Sequence, residues 1–286
     1  MDIEQYLPFS TINDAELINL IQHDNHNYTL NVINTLIYCN SDFNLSNHSA
    51  DHLNEPTVPQ PECDYNFCSD EISHKFPSNS LKILSFNISS VPKHLESFFD
   101  QCINPSGIPF DVIGLCETRL NSNICNLYKL NRYSSYFQNK STQSGGVCIY
   151  LHDNFQGVKI NNACLQFPHI ESLFIEILKP FHYIVGIIYR PPNSLFNDFL
   201  ESMENILELL SNINAKCYIM DDFNINLLNM NDKVVNYTNL FYSYTFFQTI
   251  IKPTRVTSKS ATLIDHIWTN NMQNYIKKRH FLHVNK

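Results

Sequence analysis

Short apolar runs that end on a carboxylate, an amide or a tyrosine narrow the fold of this chain more than any other feature. Leu81-Lys-Ile-Leu-Ser-Phe-Asn87 ends on Asn87, and Asp111-Val-Ile-Gly-Leu-Cys-Glu117 ends on Glu117. The run from His182 ends on Tyr189, while Lys216-Cys-Tyr-Ile-Met220 leads directly into Asp221-Asp222-Phe223-Asn224. Gly145-Gly-Val-Cys-Ile-Tyr150 and Ser172 to Leu178 are similar runs. Their length and their β-branched and aromatic content read as strands. Between them, Pro92 to Cys102 shows helical periodicity. A second helix starts near Ser194, with Leu195, Phe199, Met203, Ile206, Leu207 and Leu210 on one stripe. Strands mixed with helices in this order predict sheets covered by helices, an α/β or α+β layered domain.

At 286 residues the chain has room for such a domain and an extra segment. The extra segment is the N-terminal one. Asp14 to Ile21 and Tyr28 to Ile37 carry apolar residues at helical spacing, and Asn40 to Pro77 is polar, with Pro56, Pro59 and Pro61 close together. Residues 1–79 therefore read as a weakly structured helical leader and linker, and 80–286 as the folded domain.

A formal net charge of -8 and a pI near 5.8 supply no global basic field for nucleic acid. A phosphate-backbone substrate would depend on a local basic surface or on bound metal. Lys252, Arg255 and Lys259 offer a local one, although a solvated loop is the ordinary role of such residues. The nine cysteines are odd in number and scattered through apparent strands, which suits reduced thiols inside the cell, in nucleus or cytoplasm. Cys63, Cys68 and His74 lack the second ligand pair of a zinc site. The N-terminus has no signal-peptide pattern, and the longest apolar stretch, Tyr183 to Tyr189, is too short to cross a bilayer.

Strand ends lie on the rim of a sheet, where residues distant in sequence converge. Asn87, Glu117, Tyr189, Asp222 and Asn224 are all of this kind, and Asp265 comes from Thr262-Leu-Ile-Asp-His-Ile-Trp268. Carboxylates with amides and a tyrosine suit a Mg²⁺-dependent phosphoryl site, because hard cations take oxygen ligands. Taken singly, each has an ordinary role as a solvated turn residue, a helix cap or an edge aromatic. Their ordered set carries the inference.

That set, with the text around it, resembles the endonuclease/exonuclease/phosphatase superfamily, in particular the endonuclease domain of LINE-type (non-LTR) retrotransposons. The matching stretches are Leu84-Ser-Phe-Asn-Ile-Ser-Ser90, Gly114-Leu-Cys-Glu-Thr-Arg-Leu120, Gly145-Gly-Val-Cys-Ile-Tyr150 and Ile188-Tyr-Arg-Pro-Pro-Asn193. Tyr218-Ile-Met-Asp-Asp-Phe-Asn-Ile-Asn-Leu-Leu228 and Lys252-Pro-Thr-Arg-Val-Thr257 through Leu263-Ile-Asp-His-Ile267 complete them, so the resemblance covers about residues 81 to 271. It implies a four-layer sandwich of two packed mixed β-sheets flanked by helices, and hydrolysis of DNA phosphodiesters with Mg²⁺ (or Mn²⁺). Carried over by motif, Glu117 and Asn87 would serve the metal, with Asn87 bonded to the phosphate or to a metal-bound water. Tyr189 and Asn224 would bind substrate phosphate. Asp222 would align or deprotonate the attacking water, held by Asn224, and Asp265 would orient a catalytic histidine.

The chain departs from that family pattern in several places. The family ends in a Ser-Asp-His strand, and here the residues after Asn270 contain His280 and His283 without a preceding Ser-Asp. The resemblance thus implies a domain lacking its C-terminal strand, with a neighbouring strand left unpaired, a tendency to self-associate, and weak or absent turnover. His266, next to Asp265 in a strand, would point to the opposite face and pack or meet solvent. Asp221 stands where the family has glycine, Ser89 where related elements often carry arginine, and Arg119 where many carry tryptophan. A nuclease, a non-catalytic remnant or binding fragment of the same fold, and a phosphatase of small esters all stay open. The Tyr189-Arg-Pro-Pro-Asn193 and Lys252-Pro-Thr-Arg-Val-Thr257 wording favours the DNA branch over the last.

Overall fold

Along the strand Ser80–Asn87, Leu81 and Ile83 enter one apolar core while Leu84 and Phe86 enter another. This is the period-two pattern of a strand covered on both faces. The computed structural model describes Thr29–Cys39, Glu62–Asn66, residues 80–139, 145–257 and 260–271, and Ile276–Asn285. Its strands are β1 (Thr29–Cys39), β2 (Glu62–Asn66), β3 (Ser80–Asn87), β4 (Val112–Cys116), β5 (Tyr133–Gln138), β6 (Val147–His152), β7 (Gln156–Lys159) and β8 (Glu171–Lys179). There follow β9 (Tyr183–Tyr189), β10 (Lys216–Asp222), β11 (Phe247–Gln248), β12 (Arg255–Thr257), β13 (Ser260–Thr262), β14 (Asp265–Thr269) and β15 (Ile276–Asn285).

Among the described residues these strands form two mixed sheets. One runs β13-β12-β1-β3-β4-β6-β5, with β15 on β1 and β2 on β15; the other runs β11-β14-β10-β9-β8-β7. Ile83, Val112 and Ile149 of the first pack against Ile175, Val185 and Met220 of the second, which makes the inter-sheet core. The outer face of the first sheet, with Leu84, Ile113 and Cys148, is covered by the helix Val91–Phe98 and the π-helical turn Phe99–Ile103. The outer face of the second, with Phe174, Ile184 and Trp268, is covered by the helices Phe196–Ser211 and Asp232–Ser243. Helix, sheet, sheet and helix give the four-layer sandwich. No helix among the described residues is long and apolar enough to cross a membrane.

The N-terminal segment differs from the expectation. Thr29–Cys39 is a strand where helical spacing predicts a helix, and Glu62–Asn66 is a strand within the stretch read as linker. The proposed helix at Asp14 to Ile21 and the side chains of Cys63, Cys68 and His74 lie outside the described residues. β1 pairs antiparallel with β3, from Asn34 opposite Ser85 to Cys39 opposite Ser80. Its first residues, Thr29 to Asn31, pair with Thr257 to Arg255 of β12. On its other edge it pairs with β15. The strand bearing Asn87 is therefore flanked on both sides, by β1 and β4.

Candidate active site

Two parallel strand pairs, β3 with β4 and β9 with β10, end at one rim of the sandwich. Asn87 closes β3 and Glu117 follows β4, while Tyr189 closes β9 and Asp222 closes β10. β14 starts at the same rim, with Asp265 directly opposite Asp222 in the antiparallel ladder. The six residues singled out in the sequence, Asn87, Glu117, Tyr189, Asp222, Asn224 and Asp265, all line one pocket of about 280 Å³, which Ser89 and Arg255 also line.

Asn87 sits between the carboxylates. Its Nδ2 donates to Glu117 Oε1 at 2.9 Å and to Asp222 Oδ2 at 3.0 Å, and its Oδ1 accepts the Ser89 backbone N–H at 3.0 Å. It thus presents N–H groups to the acids rather than an oxygen. Asp222 Oδ1 accepts the backbone N–H of Asn224 at 2.9 Å, and Asn224 Nδ2 donates to the Arg190 carbonyl at 2.9 Å. Burial, then the charge of Asp265, pushes Asp222 well above the usual carboxylate range, against the opposing bonds from Asn87 and Asn224. Burial likewise raises Asp265, against the Thr254 hydroxyl and the Arg255 charge. Tyr189 is raised by burial and by the negative Glu117, so its phenol keeps its proton as a hydrogen-bond donor.

The loops that carry these groups have uncommon backbones. Glu117 and Asn224 both have φ of 50°, and Ser89 and Arg119 have 57° and 53°. For residues with a Cβ this region costs on the order of 1–2 kcal/mol each, and such strain concentrates at functional sites. The Glu117 loop is held by its neighbour: Thr118 N–H donates to the Gly146 carbonyl at 3.0 Å and Arg119 N–H to the Gly145 carbonyl at 2.7 Å. Gly145 has φ of 94°, and a Cβ there would collide with the Glu171 carboxylate, which accepts the Gly146 N–H. Gly145→Ala is expected to lower stability by about 1–3 kcal/mol. Urea denaturation measures this, and an unchanged midpoint would show that the loop absorbs the methyl group.

Sequence reading missed Arg190, Thr254 and Glu171 as parts of the site's support. The Arg190 guanidinium is buried and donates to the carbonyls of Ser194 (2.9 Å), Phe223 (3.3 Å) and Asn224 (3.4 Å), tying the loop after β9 to the loop after β10. Thr254 Oγ1 accepts the N–H groups of Ile264 (3.2 Å) and Asp265 (3.1 Å). His266 turns away from the pocket and is packed, as its alternation with Asp265 requires. Trp268 Nε1 donates to Tyr237 Oη at 2.9 Å, and that hydroxyl donates to His266 Nδ1 at 2.9 Å, because Nε2 faces two carbonyls and so carries the proton of the neutral ring. The remaining His266 N–H, on Nε2, faces the carbonyls of Ile225 and Leu263. Burial pushes its pKa down to about 3, so it is neutral and committed to structure. Asp221 pairs with His266 in the β10–β14 ladder, and its side chain lies outside the described part.

No protein-family model matches the sequence, and neither does any curated protein. Solved structures do match. The endonuclease domain of TRAS1, a telomere-specific non-LTR retrotransposon, is similar over 66% of this chain and 83% of its own, with a TM-score of 0.52 and 9% identity. A humanised D. rerio TDP2 carrying 14 mutations is similar over 66% of this chain and 82% of its own, with a TM-score of 0.51 and 11% identity. At these identities the likeness concerns the fold alone.

Proposed function

We propose that this chain is a metal-dependent DNA phosphodiester hydrolase of the retrotransposon endonuclease kind, with slow turnover. The observation that carries the reading is Asn87 bridging Glu117 and Asp222 in a pocket that also holds Asp265, Tyr189 and Asn224. Among the described residues no group of three or more His, Cys, Asp or Glu side chains is arranged to hold a metal by itself. This donor set still fits Mg²⁺ (or Mn²⁺), which binds through one or two carboxylates, completes its shell with waters and takes substrate oxygens. Glu117 is the proposed carboxylate, and Asn87 keeps it in place while remaining near enough to bond a metal-bound water or the phosphate.

When bound, the metal supplies a Lewis acid for the developing charge on phosphoryl oxygens. The rest falls to the chain. Asp222, with its raised pKa, accepts a proton from the attacking water; the Asn224 N–H fixes one of its oxygens and the Asn87 amide the other. Tyr189 keeps its phenolic proton and donates a hydrogen bond to a phosphate oxygen. Among the described residues no histidine lines the pocket, and the stretch after Asn270 lacks the Ser-Asp-His wording of the resembled family, which motivates the slow turnover. The same observation favours a second reading, a binding fragment of the fold that no longer cleaves.

The test is supercoiled-plasmid nicking with and without Mg²⁺, for the wild-type chain and Glu117→Gln. Low but Mg²⁺-dependent nicking that disappears in Glu117→Gln is expected. Nicking that persists in the variant would refute the metal assignment, and Mg²⁺-dependent DNA binding with no nicking would establish the second reading.

A further inference from the structure

The candidate site is acidic, and phosphodiesters are anions. Glu117, Asp222 and Asp265 share the pocket, and among its lining residues Arg255 alone is cationic. Arg190 lies nearby, but its guanidinium is engaged by backbone carbonyls. Arg255 is different. It is exposed, and no hydrogen bond or ion pair of its guanidinium is formed among the described residues.

Its backbone, in contrast, is fixed. Arg255 pairs with Thr262 across the β12–β13 hairpin and with Asn31 of β1 on the other side. The preceding residue, Thr254, donates its N–H to the Thr262 carbonyl at 2.8 Å, and its hydroxyl oxygen receives the N–H of Asp265. A free guanidinium is thus anchored at the mouth of a carboxylate pocket, beside Asp265, by a strand hydrogen-bonded on both edges. An exposed arginine on an ordinary solvated loop has no such anchoring.

We propose that Arg255 is a substrate-binding residue that clamps a backbone phosphate of DNA at the mouth of this pocket. The proposal rests on the phosphodiester reading above and adds to it the group that offsets the pocket's own negative charge. A planar guanidinium donates two parallel N–H bonds to a phosphate, which a lysine cannot do. Its location also explains how a chain of net charge -8 admits a polyanion: the positive charge is placed at the point of contact.

The experiment measures binding of a short fluorescent DNA duplex to the full chain, in Ca²⁺ over a range of KCl, for wild type, Arg255→Met and Arg255→Lys. Arg255→Met should bind roughly tenfold more weakly, with the slope of log K against log salt flatter by about 0.9, the loss of one phosphate contact. Arg255→Lys should recover the slope but only part of the affinity. Melting temperatures should coincide, because the side chain is exposed. Arg255→Met with wild-type affinity and slope overturns the clamp. If Arg255→Met is unchanged while Glu117→Gln still abolishes Mg²⁺-dependent nicking, the clamp alone is wrong. If the wild-type chain binds no duplex at any salt, the clamp and the phosphodiester reading fall together.

Discussion

Asp222→Asn should reduce Mg²⁺-dependent DNA hydrolysis by on the order of 10³ while leaving duplex affinity unchanged or improved. General bases contribute about 10²–10⁴ to rate, and Asp222 is the one proposed above: it is buried, with each oxygen held by a single donor, from Asn87 and Asn224. Asparagine is nearly isosteric but cannot accept the proton. Its neutral amide also cannot take on the negative charge that Asp222 carries when ionised, so binding of an anionic phosphate has no reason to weaken. The pH profile gives an independent check. Burial and Asp265 raise the Asp222 pKa, so the ionised base disappears at a higher pH than for an ordinary carboxylate. The wild-type rate should therefore fall as pH decreases through that raised value, and the acidic limb should be missing from any residual rate of Asp222→Asn. Single-turnover cleavage across pH measures both. A variant within threefold of the wild-type rate would remove Asp222 from the proton transfer.

How much of this site could be read from the sequence depends on the distance over which each feature is specified. The convergence of Asn87, Glu117, Asp222 and Asp265 is legible because it follows from local rules, apolar runs ending in polar residues and strand ends sharing a rim. The positive φ of Asn224 is also partly local, since asparagine tolerates that region. The same conformation at Glu117 is not local. Glutamate has no preference for it, and the loop is held by carbonyls of Gly145 and Gly146, far along the chain. Arg190 stands in a recognisable stretch beside Tyr189, yet its bracing role depends on the carbonyls of Phe223 and Asn224. For Tyr28 to Ile37, Leu30, Ile33 and Ile37 fit a helical stripe, while Val32, Ile33, Thr35 and Ile37 are β-branched. Apolar spacing alone does not separate the two outcomes, and the pairing with β3 decides it.

That pairing makes the N-terminal segment part of the site's framework, and a chain lacking residues 1–79 should lose both stability and function. β1 meets β3 at six registered positions and β12 at three. Net contributions of roughly 0.5–1.5 kcal/mol per hydrogen bond amount to several kcal/mol, against a typical whole-domain stability of about 5–15 kcal/mol. At about 2–4 °C per kcal/mol for a domain of this size, the melting temperature should drop by on the order of 10 °C or more. The freed edge of β3 would also offer unpaired backbone groups to other chains, so the shortened protein should self-associate on light scattering. Function is lost for a separate reason. β1 lies between β12 and β3 in the sheet order, and so joins the strand that carries Arg255 to the strand that ends in Asn87. Without it, the proposed phosphate clamp is no longer registered against the carboxylates. A proline at Thr35 separates this role from mere chain length. It keeps every other residue but removes a ladder N–H from a strand flanked on both sides. Thr35→Pro should reproduce most of the thermal loss, whereas Arg255→Met should weaken DNA binding with no thermal loss. If the shortened chain melts within about 2 °C of the full one, a shift worth at most roughly 1 kcal/mol, β1 is an accessory, and the registration of Arg255 must come from the β12–β13 hairpin and the Thr254–Asp265 contact alone.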